Sequence, residues 1–117
     1  MKLSEVRDIL KAEVLVGADW LDRTIVGGGG ADLMSDVLAA VAEDAVLLTG
    51  LISEHVLRTA KIAGVGGVVF VRGKKPATPI LREAENLEMP VMTTRFSLFV
   101  ASGRLYMNGL RGLDGSW

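Results

Sequence analysis

The chain has no cysteine. Disulfide staples, thiolate zinc sites, iron–sulfur clusters and a thiol nucleophile are therefore excluded. It has one histidine, His55, which removes most other zinc sites and leaves a single candidate base for a serine triad. Neither sign of charge is in excess. Thirteen Lys and Arg stand against fourteen Asp and Glu, for a net charge of -1, so no basic field calls for nucleic acid. Long hydrophobic runs are missing too. Blocks such as AVLLTGLI and VGGVVFV fall far short of the ~20 apolar residues that span a bilayer. The opening, MKLSEVRDILKAE, is charged from its first turns and contains no uninterrupted apolar segment of the kind a signal peptide needs.

What is present suits one soluble domain. A chain of 117 residues and 12.5 kDa exposes roughly 6,200 Å² when folded out of about 18,000 Å² unfolded, enough burial for an independent core. Half of the residues are hydrophobic before the 14 glycines are counted, and the mean hydropathy is +0.38. That is more apolar surface than one small core hides, and the surplus points to a subunit interface in a cytoplasmic homodimer. Val37, Leu38, Val41, Phe96, Phe99 and Tyr106 are the expected contributors.

The pattern alternates. Val6, Ile9 and Leu10 recur at helical spacing behind Ser4, the expected cap. A β-branched run over 13–16 and a second over 24–26 read as strands, the latter ending in Gly27, Gly28, Gly29 and Gly30. Asp32 then opens a helix with Leu33, Val37, Leu38 and Val41 on one face. Residues 45–49 carry no charge and suit a strand buried on both faces. Ser53 caps a helix that turns Val56, Leu57, Ala60 and Ala63 inward and His55, Arg58 and Lys61 outward. Residues 68–71 form another apolar strand. Thr78 and Pro79 start a helix with an Ile80, Leu81, Ala84, Leu87 stripe. A strand over 90–93 and a helix from Ser97 to about Tyr106 follow. Strands alternating with helices of about ten residues predict a three-layer α/β/α sandwich. Its sheet of about five strands is mainly parallel, with a mixed sheet as the alternative. Residues 109–117 form a glycine-spaced tail.

Three constellations could carry chemistry. The four-glycine run between strand and helix has the setting of a phosphate loop, but position 33 is Leu33 rather than glycine and no Gly-Lys-Ser/Thr follows. Asp32 and Asp36 also place negative charge where a phosphate would sit. The glycines therefore read as structural, serving positive φ or close packing. Asp32, Ser35 and Asp36 share a helix face and could hold a metal through water. Their ordinary roles, a cap and a first-turn acid, account for them as well. The third constellation is the carboxyl edge of the sheet, where ligands of open parallel sheets bind. Thr49, Ser53, Arg72, Lys74, Lys75 and Arg95 gather there if the strands are parallel, and hydroxyls, helix N-termini and cations together favour a small anion. His55 lies on a polar helix face with no orienting partner in sequence, so no catalytic set assembles.

The segments MKLSEVRDILKAEVLVG, LDRTIVGGGGADLMSDVLAAV, GVGGVVFVRGKKP and MPVMTTRFSLFVASGRLY, taken in that order, resemble a stand-alone DRTGG domain over residues 1–108. Ser35 within ADLMSDV, followed by the apolar strand that ends in Gly-Lys-Lys-Pro, carries the most specific part. The string Asp22-Arg23-Thr24 is not the origin of the family's name, whose residues are scattered. The chain has Gly30 where an aromatic is usual and Arg72 where a small polar residue is frequent. The resemblance implies a fold similar to the N-terminal domain of HPr kinase/phosphorylase. It also implies a dimerising, regulatory role without catalysis or cofactor, as in modules beside CBS pairs in regulated pyrophosphatases and in long phosphotransacetylases. A protein partner in a hydrogenase-type system is implied by short versions encoded near iron-only hydrogenase subunits. The expectation is thus a regulatory or scaffolding homodimer. A sensor of an anionic metabolite or adenine nucleotide at the strand ends is the alternative, and a metal-dependent hydrolase using Asp32 and Asp36 the third class.

Overall fold

In the computed structural model, which describes residues 1–40 and 43–112, the fully apolar segment AVLLT is strand β3 (Ala45–Thr49) at the centre of the fold, buried at all five positions. Its neighbours follow the alternation of the sequence: α1 (Leu3–Leu10), β1 (Glu13–Val16), a 3-10 turn over Ala18–Trp20, β2 (Gly27–Gly30) and α2 (Met34–Ala40) precede it. After it come α3 (Glu54–Ala63), β4 (Gly67–Phe70), α4 (Thr78–Asn86), β5 (Val91–Thr93) and α5 (Leu98–Met107). The sheet order is β1-β5-β4-β3-β2, with β2 to β5 parallel and β1 antiparallel to β5. Two side-chain faces follow from the period of two. Leu47, Val68, Phe70 and Val91 pack with α2, α3 and α4. Val46, Leu48, Val69 and Met92 pack with α1 and α5. This is the expected three-layer sandwich, mixed through β1.

The helix ends show why the elements stop where they do. Ser53 and Ser97 cap α3 and α5, accepting hydrogen bonds from the N–H groups of Val56 and Val100 at 3.3 and 3.2 Å. Gly64 ends α3 in the left-handed region (φ 77). At α1 the expected cap is displaced. Lys2 holds the cap position, and the Glu5 carboxylate reaches back to its N–H at 3.1 Å, while Ser4 lies inside the helix. Lys11 closes the helix with φ 49.

Two expectations around the glycines need correction. Residues 24–26 are not a strand: Thr24 makes only an isolated bridge with Lys2, and the glycines themselves are β2, in parallel register with residues 45–48. None of the four has a positive φ. Close packing is what they serve. A Cβ on Gly28 would stand 3.0 Å from Leu110 Cδ2, and one on Gly30 would stand 2.9 Å from Leu98 Cδ1. Their missing side chains let α5 and the chain beyond it lie flat on the sheet. The Gly28 N–H donates to the Arg111 carbonyl at 3.0 Å, covering this edge at one point. The second correction concerns α2, which begins at Met34 and buries Met34 and Val37. Leu33 and Leu38 face outward, 61% and 55% exposed. Val41 and the end of the tail (113–117) lie outside the described residues.

Candidate functional site

The carboxyl ends of β2 to β5 emerge on one edge, where the chain turns into α2, α3, α4 and α5. Two cavities open there, one on each side of the turn that follows β4. That turn is unusual, because Arg72 and Gly73 both have positive φ, 60 and 68. A non-glycine residue adopts this region at a cost, and two backbone bonds hold it there. The Arg72 N–H donates to the Phe96 carbonyl at 2.8 Å, and the Gly73 N–H to the Thr94 carbonyl at 2.7 Å. Arg72 lines one cavity and Gly73 the other.

The first cavity, about 300 Å³, is lined by Asp32, Gly50, Val71, Arg72, Ser97, Leu98 and Phe99. Asp32, expected as a helix cap, instead reaches across to the end of β3. Its Oδ1 accepts from the Gly50 N–H at 2.7 Å and from the buried Thr49 hydroxyl at 3.1 Å. The same hydroxyl oxygen accepts from the Leu51 N–H at 3.1 Å. Lys74 donates from Nζ to the Gly50 carbonyl at 2.6 Å. Thr49 and Lys74 are thus partnered within the fold.

The second cavity, about 260 Å³, is lined by Lys11, Glu13, Gly73, Lys75, Thr93, Thr94 and Arg95. Three cations face one carboxylate, and Lys75 Nζ stands 3.2 Å from both Glu13 oxygens. The threonine hydroxyls point their protons inward, Thr93 to the Lys74 carbonyl and Thr94 to the Leu10 carbonyl, each at 2.7 Å. Among the lining side chains, the donors left to the cavity are therefore Lys11, Lys75 and Arg95. An exposed pair such as Lys75–Glu13 contributes little by itself, so an incoming anion competes with Glu13 at small cost.

The six residues expected at the strand ends are therefore divided. Thr49, Arg72 and Lys74 surround Gly50. Lys75 and Arg95 line the second cavity. Ser53 stands apart from both, its hydroxyl engaged as the α3 cap. Sequence reasoning missed Lys11 and Glu13, which reach this edge because β1 runs antiparallel beside β5. It also missed the reach of Asp32, whose only signal was its position just beyond a strand. The glycine strand borders a third cavity of about 180 Å³ walled by Leu48, Leu105, Tyr106 and Leu110. Its cation, Arg111, lies 4.1 Å over the Tyr106 ring and donates to the Tyr106 carbonyl at 2.8 Å. Asp36 lines neither strand-end cavity, and among the described residues no three His, Asp or Glu gather as a metal cluster. Among the described residues, no helix is long and apolar enough to cross a membrane.

No protein-family model matches the chain, and no curated protein matches it in sequence. Among solved structures it is similar to the CBS and DRTGG domains of the regulatory region of Clostridium perfringens pyrophosphatase, in complex with the activator diadenosine tetraphosphate. The TM-score is 0.73 at 18% identity, over 89% of this chain and 45% of that one. The chain thus spans under half the length of the structure it matches. The likeness establishes a CBS/DRTGG-like α/β fold.

Proposed function

We propose that this chain is a non-catalytic regulatory module, acting as a homodimer, that senses a small anionic ligand at the carboxyl edge of its sheet. The observation that carries the reading is the second cavity, where Lys11, Lys75 and Arg95 converge against Glu13 alone. Charge-assisted bonds from two or three cations to a phosphate or carboxylate group are the strong class of hydrogen bond. A few kcal/mol from them corresponds to roughly millimolar binding or better. The related fold supports the same reading, since its regulatory region was crystallised with an anionic nucleotide activator.

The homodimer rests on α5. Ala101 and Leu105 turn into the core, while Phe99 and Met107, eight residues apart and thus on one broad stripe of the helix, are 88% and 86% exposed. Val100 and Tyr106 flank them, half exposed. A second copy is the occupant that the surplus of apolar residues favours. Sedimentation at micromolar concentration is expected to give a species of twice 12.5 kDa, and a Phe99→Ser/Met107→Ser variant the single mass. The same single mass for the parent chain would refute the dimer.

The sensing role is tested by calorimetry with nucleotides and phosphorylated metabolites on the parent chain and on a Lys75→Glu/Arg95→Glu variant. Charge reversal is expected to lower the affinity of any binder at least tenfold, with unchanged melting. Equal affinities would move the site elsewhere.

A further inference from the structure

Opposite charges face each other across Gly50 without meeting. From the point that a Gly50 Cβ would occupy, Arg72 Nη2 is 3.0 Å away and both Asp32 carboxylate oxygens are 3.6 Å away. Yet among the described residues Arg72 makes no ion pair and its side chain no hydrogen bond, and the two bonds to Asp32 both fall on Oδ1. Asp32 and Arg72 both line the same cavity. The carboxylate of Asp32 and the backbone of Arg72 are fixed from outside that cavity. Asp32 is anchored to the end of β3, and the backbone of Arg72 is fixed in the left-handed region by bonds from Arg72 and Gly73 to the carbonyls of Phe96 and Thr94.

We propose that this cavity binds a free α-amino acid with an apolar side chain, its ammonium on Asp32 Oδ2 and its carboxylate on Arg72. The gap is wider than a direct ion pair and no wider than the two distances from Gly50 taken together. An α-ammonium and α-carboxylate fill such a gap when each makes a charge-assisted hydrogen bond of about 2.8 Å. A simple anion would meet Asp32, and a simple cation would meet Arg72, so a zwitterion is the species both ends accept. Guanidinium supplies the planar fork that a carboxylate matches. A Cβ on Gly50 would occupy the space between the two charges, tight against Arg72 Nη2 at 3.0 Å and in ordinary contact with the Asp32 oxygens at 3.6 Å. Leu98 and Phe99 are the partly exposed apolar residues of the lining, and a volume of about 300 Å³ is at the small end of ligand pockets. None of Lys11, Lys75 and Arg95 lines this cavity, so the inference does not depend on the anion site proposed above.

The test is an amide NMR titration of the full chain with L-valine, L-valine methyl ester and N-acetyl-L-valine, the latter two each lacking one charge. Valine is expected to shift the amides of Gly50, Arg72 and Leu98 saturably, with at least tenfold tighter binding than either blocked form. Asp32→Asn keeps an oxygen for the Gly50 N–H and should bring valine down to the level of its N-acetyl derivative. Arg72→Gln, on an exposed side chain outside the core, should bring it down to the level of the methyl ester. Phe99 belongs both to this cavity and to the exposed face of α5, so sedimentation of the parent chain and both variants checks that all three share one oligomeric state. Equal binding of the three compounds, no saturable shift at millimolar valine, or full affinity in both variants would overturn the proposal.

Discussion

Asp32→Ala removes the tie between the β2–α2 connection and the end of β3. The carboxylate accepts two hydrogen bonds, one from the Gly50 N–H at 2.7 Å and one from the Thr49 hydroxyl at 3.1 Å. Both donors belong to buried residues, and a hydrogen bond to a charged group contributes about 1.5–3 kcal/mol. Asp32 itself is exposed, so water reaches the vacated position and the loss falls in the lower part of that range, about 2 kcal/mol. For a domain near 100 residues this lowers the melting temperature by roughly 10 °C and the urea midpoint by about 1 M. Asparagine offers an oxygen at the same place, so Asp32→Asn should recover most of the loss, within about 0.7 kcal/mol of the parent. Circular dichroism melts and urea titrations measure both variants, and hydrogen exchange at the Gly50 amide reports the bond directly. An alanine variant within about 0.5 kcal/mol of the parent, or an asparagine variant as damaged as alanine, would refute the assigned role.

Three further outcomes are expected from melting experiments. Gly17→Ala combines a positive φ of 88 with a Cβ 2.9 Å from the Pro90 backbone and should cost about 2 kcal/mol or more. Gly28→Ala meets only the end of the Leu110 side chain at 3.0 Å and should stay within about 1 kcal/mol; the reverse ranking would contradict the packing account of β2. Thr94→Val deletes a buried hydroxyl bonded to the Leu10 carbonyl at 2.7 Å and should cost about 1–2 kcal/mol, whereas a neutral result would deny that this bond ties β5 to α1.

Much of the architecture is written locally. A charge-free run such as 45–49 has no solvated face to offer and reads as a central strand, and serines before Val56 and Val100 announce helices that the structure caps there. The glycine strand was not legible because four residues without side chains carry no period. Its register comes from residues 45–48, a partner that sequence proximity does not reveal. The α2 stripe misled for a related reason. Leu33 and Leu38 are as apolar as Val37, and only the start of the helix at Met34 decides which of them turns inward. The cationic edge was legible as a place but not as two cavities. Lys11 joins it through the antiparallel pairing of β1, and Lys74 leaves it through a bond to the Gly50 carbonyl.

The most direct test of the account is where an anion binds. Titration of the labelled chain with inorganic phosphate at low ionic strength, where screening is least, should shift the amides of Lys11, Gly73, Thr94 and Arg95 together, and added salt should reverse the shifts. Shifts centred on Gly28, Gly29 and Gly30 instead, or none at this edge with millimolar phosphate, would contradict it.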